Sequence, residues 1–179
     1  FNLEMAAIDE MCDIAERVVP DTITLVPERR QERTTEGGLD VAAQRTAIEG
    51  FAHVCQRRAI RLSLFIAPDL EAVRLAHALG AEQVELHTGE YCHLFEPGQR
   101  ELRARELDRL RGAAELASTL GLDVAAGHGL TRHNVGPIVS IPAVTEVNIG
   151  HSVVADAIFL GLGQAVKELR EAIARHAPT

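Results

Sequence analysis

Tryptophan is absent from this chain, tyrosine occurs once, and aromatic residues make up 3% of it. So thin an aromatic supply leaves little for base stacking. Acidic residues outnumber basic ones, 26 Asp and Glu against 18 Lys and Arg, and no basic run stands out to meet a phosphodiester backbone. Nucleic acid is therefore not an expected partner. Cys12, Cys55 and Cys92 are odd in number and lack CxxC spacing, which argues against a disulfide framework and against a zinc knuckle. No leader-like segment and no apolar run long enough to cross a bilayer is present, so a reduced, cytoplasmic protein without membrane contact is expected.

What the chain does have is enough apolar material for a real core, 46% hydrophobic over 179 residues, and a regular rhythm. Strand-like segments are expected at residues 1–5, 22–26, 61–66, 83–87, 123–126 and 145–149. Each is followed by a helical pattern, at residues 6–18, 40–58, 70–79, 97–120, 134–139 and 153–176. Strand–helix alternation without hairpin dipeptides predicts a parallel sheet, in about six βα units of about thirty residues. No Pro- or Ser-rich linker interrupts the series, so residues 1–179 are expected to form a single domain.

Alternation alone fits an open doubly wound sheet or a closed barrel. In Gln83-Val84-Glu85-Leu86-His87, the apolar Val84 and Leu86 alternate with Gln83, Glu85 and His87. Asn2 and Glu4 alternate in the same way with Leu3 and Met5, and Glu146 and Asn148 with Val147 and Ile149. Strands covered by helices on both faces read as continuous apolar runs. A repeatedly polar face suits a barrel lumen that opens on a site at the carboxyl ends of the strands. The expected fold is therefore α/β, a (β/α)8 TIM barrel. The chain begins at Phe1 rather than Met, and six units fall short of eight, so two N-terminal units are expected to be missing here.

Two glycine–histidine stretches, Ala126-Gly127-His128-Gly129-Leu130 and Asn148-Ile149-Gly150-His151-Ser152, each close a strand-like segment and are expected to open a helix. Glycine lets backbone approach a ligand, and first-turn amides are unpaired donors with positive dipole character. The turns after the last two strands of a barrel are the usual phosphate site. His128 is placed to act as a general acid there, or to serve as a hydrogen-bonding strut. His151 repeats the signal. Glu4, at a strand end on the polar face, reads as a general base in a partly desolvated mouth or as an ion-pair partner of an arginine. Glu85 reads as a stabiliser of developing positive charge or as half of a buried ion pair. His87, just before Thr88-Gly89, reads as a strand-end ligand or an ordinary turn residue. Metal is not expected, since no HxH or HExxH spacing is present. The long polar stretch from Pro27 to Gly38 has the guanidinium and hydroxyl donors and the Gly-Gly hinge of a lid over an anionic substrate.

The strings Asn2-Leu-Glu-Met5, Leu25-Val-Pro-Glu-Arg-Arg-Gln-Glu32, Thr34-Thr-Glu-Gly-Gly-Leu-Asp40, Glu85-Leu-His-Thr-Gly89, Ala126-Gly-His-Gly-Leu130 and Asn148-Ile-Gly-His151 occur in one order. Together they closely resemble the pyridoxine 5′-phosphate synthase family of vitamin B6 biosynthesis, over essentially the whole chain. The resemblance implies a TIM barrel that assembles as dimers and then octamers. It implies condensation of 3-amino-2-oxopropyl phosphate with 1-deoxy-D-xylulose 5-phosphate, a transferase-type ring closure without metal or organic cofactor. It places the catalytic proton acceptor at Glu4, the proton donor at His128 and the cation-stabilising carboxylate at Glu85. Thr34 falls on a deoxyxylulose phosphate contact, and Gly129, Gly150 and His151 on contacts to the aminoketone phosphate. The family's first two βα units, with a further catalytic histidine, have no counterpart in this sequence. Two competing expectations remain: a metal-dependent barrel hydrolase or epimerase using His87 and His128, and a catalytically incomplete fragment that binds phosphate without turnover.

Overall fold

Six parallel strands lie side by side in chain order in a computed structural model, which describes residues 1–27 and 38–178. They are β1 (Asn2–Ala6), β2 (Thr22–Val26), β3 (Arg61–Ile66), β4 (Gln83–His87), β5 (Asp123–Gly127) and β6 (Glu146–Asn148). The helices between and after them are α1 (Asp9–Val18), α2 (Arg45–Arg58), α3 (Leu70–Ala78), α4 (Gly89–His93), α5 (Arg100–Thr119), α6 (Val135–Val139), α7 (His151–Leu160) and α8 (Leu162–Ala174).

The register explains the division of labour between the two faces. Glu4 pairs with Thr24, Thr24 with Ser63 and Ser63 with Gln83, while Phe65, Glu85, Ala125 and Glu146 form the next row toward the carboxyl end. His87, Gly127 and Asn148 form the last. The intervening residues Met5, Ile23, Leu25, Leu62, Leu64, Val84, Leu86 and Val124 point the other way and are buried in one core cluster with Ile48, Phe51, Val73 and Leu110 of the helices. Each such aliphatic side chain removed from water contributes about 1.5–3 kcal/mol, so register is strongly specified: a one-residue slip would turn this set to the polar side.

The polar face is concave. Its side chains reach across an intervening strand: Gln83 Nε2 donates to Glu146 Oε2 at 3.1 Å, Asn148 Nδ2 donates to Glu85 Oε2 at 2.8 Å, and Arg61 of β3 pairs with Asp123 of β5. Residues of β1 and β6, the two ends of the sheet, line one cleft with β4. The curled six-stranded parallel sheet is the α/β architecture expected from the alternation of strand-like and helical segments.

Local differences have local causes. The helix expected over residues 153–176 is two helices, broken at Gly161, whose φ of 78° and ψ of 148° favour glycine. The helix expected from residue 40 starts at Arg45, because Asp40 Oδ1 accepts from the Ala43 amide at 3.0 Å and holds residues 40–43 in a turn. The short α4 was not anticipated: it has five residues and opens on glycine.

Candidate active site

Glu85 sits in the middle of β4 with 5% of its surface exposed. Burial pushes its carboxyl up to about 7, against the opposing effect of the Asn148 hydrogen bond and with further help from the negative charges of Glu4 and Glu146. Room for this carboxylate comes from Gly127 on the neighbouring strand, where a Cβ would collide with Glu85 Oε1. Glu4 lies on the rim of the same cleft and is exposed.

The first glycine turn, after β5, is held mainly through its carbonyls. Thr88 Oγ1 lies within hydrogen-bond distance of the carbonyls of Gly127 (2.8 Å) and His128 (2.7 Å), Asn134 Nδ2 donates to Gly129 O (3.3 Å), and Ser152 Oγ donates to Leu130 O (2.8 Å). Asn134 Oδ1 also accepts from the Thr131 amide at 2.7 Å. Among the described residues, the amides of Gly129 and Leu130 have no acceptor. His128 and Gly129 both take left-handed backbone, with φ of 80° and 79°. This turn does not open a helix directly, as was expected, since residues 128–134 intervene before α6.

The second turn does. His151 begins α7, Gly150 precedes it without a side-chain cap, and first-turn amides have no intrahelical acceptor. The Ser152 hydroxyl joins the two turns, and Arg132 ties the stretch after the first turn to α7 and α8 through Asp156 (3.0 Å) and Glu168 (3.1 Å). Unpaired amides and a helix dipole are groups that can hold an anion.

Glu4, Glu85, His128, Gly129, Gly150 and His151 all line one cleft of about 1070 Å³ at the carboxyl ends of the strands. Thr34 and most of the expected lid lie outside the described residues. The stretch returns at Gly38, which has a φ of 98° and where a Cβ would lie 2.6 Å from the backbone of Ile66 and Ala67 at the end of β3. The Leu39 amide then donates to Phe65 O at 2.7 Å, at the same mouth.

Sequence reasoning missed Thr88 and Asn134 as organisers of the first turn; a threonine and an asparagine in loops carry no signal until their partners are known. The sequence offers two readings of His87, a strand-end ligand or an ordinary turn residue. His87 is buried behind His128, the two rings stacked at 4.7 Å between centroids and 27° between planes, rather than converging their nitrogens on a shared point. Among the described residues no group of three His, Cys, Asp or Glu side chains is arranged to hold a metal ion, and no helix is long and apolar enough to cross a membrane.

A curled parallel sheet with carboxylates, imidazoles and two glycine turns gathered at its carboxyl mouth is a barrel-like α/β architecture, a class whose sites lie at that end. Residues 1–175 match the family model described as pyridoxal phosphate biosynthesis protein PdxJ, and the chain belongs to that family. It is 51% identical over 173 residues to a pyridoxine 5′-phosphate synthase of Synechococcus sp., covering 97% of this chain and 71% of the relative. It is 48% identical over 175 residues to the synthase of Neisseria meningitidis serogroup C, covering 98% and 71%. Among solved structures, GMP reductase from Trypanosoma brucei superposes with a TM-score of 0.63 at 13% identity, covering 96% of this chain and 40% of that one. A chain of the Amycolatopsis orientalis BexX/CysO complex gives 0.56 at 14%, covering 93% and 63%. Likeness at such low identity speaks to the fold alone.

Proposed function

We propose that this protein forms pyridoxine 5′-phosphate by joining 3-amino-2-oxopropyl phosphate to 1-deoxy-D-xylulose 5-phosphate, with release of inorganic phosphate and water. The amine attacks the ketone, phosphate leaves the aminoketone half, and ring closure with dehydration follows. Such a sequence needs a proton acceptor, a proton donor and a group that bears transient positive charge. Glu4 is the acceptor, His128 the donor, and Glu85 in its carboxylate form stabilises the cationic intermediates. Gly129, Gly150 and His151 hold the aminoketone phosphate, and Thr34 contacts the deoxyxylulose phosphate. No step calls for a metal or an organic cofactor.

The observation that carries this reading is the convergence of both turns, with unpaired amides, on the cleft that also contains Glu4 and the desolvated Glu85. An anion site built by both turns beside two carboxylates suits a reaction of a phosphate ester. The names of the relatives support the same product. On this reading the curved sheet is an arc of a (β/α)8 barrel acting as one domain, and the enzyme works in the cytoplasm as a homo-oligomer, an octamer built from dimers.

The test is to purify the protein as its gene encodes it and supply both substrates. Pyridoxine 5′-phosphate and inorganic phosphate should appear in equal amounts. Glu4→Gln keeps shape and removes the base, so kcat should fall by roughly 10²–10⁴-fold with KM little changed. Absence of product would overturn the proposed reaction. Unchanged turnover in the variant would remove Glu4 from its role.

A further inference from the structure

His128 is exposed at the mouth, yet the backbone beneath it is heavily constrained. Its φ of 80° is left-handed, a conformation that costs a non-glycine residue about 1–2 kcal/mol. Its carbonyl is pinned from α4 and the residue before it, by Thr88 Oγ1 at 2.7 Å and Cys92 Sγ at 3.6 Å. Such strain is retained where the surroundings over-determine it, and it aims the side chain. Backbone aim alone leaves two side-chain torsions free, and exposed side chains change rotamer on the picosecond to nanosecond scale. Two rings lie against that of His128, Phe65 tilted at 6.4 Å and 52° and His87 stacked at 4.7 Å. The closer, stacked ring of His87 is the contact that restrains those torsions.

His87 is in turn clamped on several sides. It is the last residue of β4, 8% exposed, with Phe65 edge-on at 5.2 Å and 72°. The Gly89 amide donates to its Nδ1 at 3.3 Å, which leaves the ring proton on Nε2. Gly89 also makes the space: a Cβ there would lie 2.9 Å from His87 Nε2 and 3.1 Å from His128 Cδ2. Among the described residues, His87 is not one of those that line the cleft.

We infer that His87 is the positioning residue for His128, a fixed plate across the β4–β5 seam that holds the mobile imidazole in its proton-donating orientation. Burial, then the positive charges of His128 and His93, hold His87 down to about 4. The plate therefore stays neutral near pH 7. The inference rests on the proton-donor role assigned to His128 above.

Two substitutions separate the plate from the hydrogen bond. His87→Asn keeps an acceptor for the Gly89 amide and removes the ring. His87→Phe keeps a ring and removes the acceptor. In the protein as its gene encodes it, His87→Asn should lower kcat by roughly 10–100-fold, with KM for both substrates within about twofold, as misplacement of a catalytic group does. His87→Phe should recover to within about threefold of the parent rate. Carbon-13 labelling of histidine gives a reading independent of turnover: the His128 Cε1–Hε1 signal should lose its ring-current shift in His87→Asn and keep it in His87→Phe. A parental kcat or an unmoved His128 signal in a folded His87→Asn protein would overturn the inference. If His87→Asn does not fold, a folded His87→Phe protein that loses both rate and ring-current shift overturns it. If no pyridoxine 5′-phosphate forms while the His128 signals behave as expected, the proposed reaction fails and the positioning stands.

Discussion

Glu85→Gln is the substitution whose outcome follows most directly from the geometry. The carboxyl is buried among Asn148, Glu4 and Glu146, and its folded value of about 7 stands above the ordinary 4.5. Between those two values the folded chain still binds a proton that the unfolded chain has released. Stability is therefore complete below pH 4.5 and falls as pH rises through 7, where the folded carboxyl ionises. Once both states are charged, the loss amounts to roughly 3 kcal/mol. Glutamine carries no charge at any pH and still offers an oxygen to Asn148 Nδ2. The variant should match the parent near pH 5 to within about 1 kcal/mol and exceed it by about 2–3 kcal/mol near pH 8.5. Urea denaturation of both proteins at the two pH values measures this difference. A parent-to-variant gap that does not change with pH would refute the reasoning. The catalytic reading makes the opposite demand on the same group. Only the carboxylate stabilises a cation, so kcat/KM should climb as pH rises through about 7. That rise should vanish in Glu85→Gln along with most of the activity.

Gly127→Ala would drive a methyl into Glu85 Oε1 and leave it 3.2 Å from the Asn148 carbonyl. It should cost about 1–3 kcal/mol in urea melts, with an unchanged midpoint counting against the close packing of this row. Asn134→Ala removes the acceptor of the Thr131 amide and the donor to Gly129 O. It should weaken inorganic phosphate binding about tenfold by calorimetry, and equal affinity would show that the turn holds its shape without Asn134.

The strands were legible because lumen and core sides alternate so cleanly: Val84 and Leu86 are fully buried among helices while Glu85 faces the cleft. The two glycine–histidine stretches were legible as turns beyond strand ends, since glycine readily takes the left-handed backbone found at Gly129. Other features depended on partners distant in sequence. Asn148 reaches Glu85 across 63 residues and Thr88 reaches His128 across 40, so neither contact leaves a local pattern. The break at Gly161 was hidden because the helical periodicity resumes in Leu162–Ala174, and a single glycine inside a helical pattern is often tolerated. Burial was the hardest quantity to read. Glu4 and Glu85 look alike as strand carboxylates, and only the curvature of the sheet decides which of them is shut away from water.

The strand beneath the second turn is the shortest of the six, three residues paired to β5 alone, and α7 beyond it has no buried residue among those described. Segments so thinly anchored are the first to open in native-state hydrogen exchange. The first turn, by contrast, stands on the fully buried Thr88 and on Asn134, which also accepts a hydrogen bond from Tyr91 through its carbonyl. A phosphate gripped by both turns would thus fasten a loose half to a firm one, and its binding free energy would appear partly as slower amide exchange along β6 and α7.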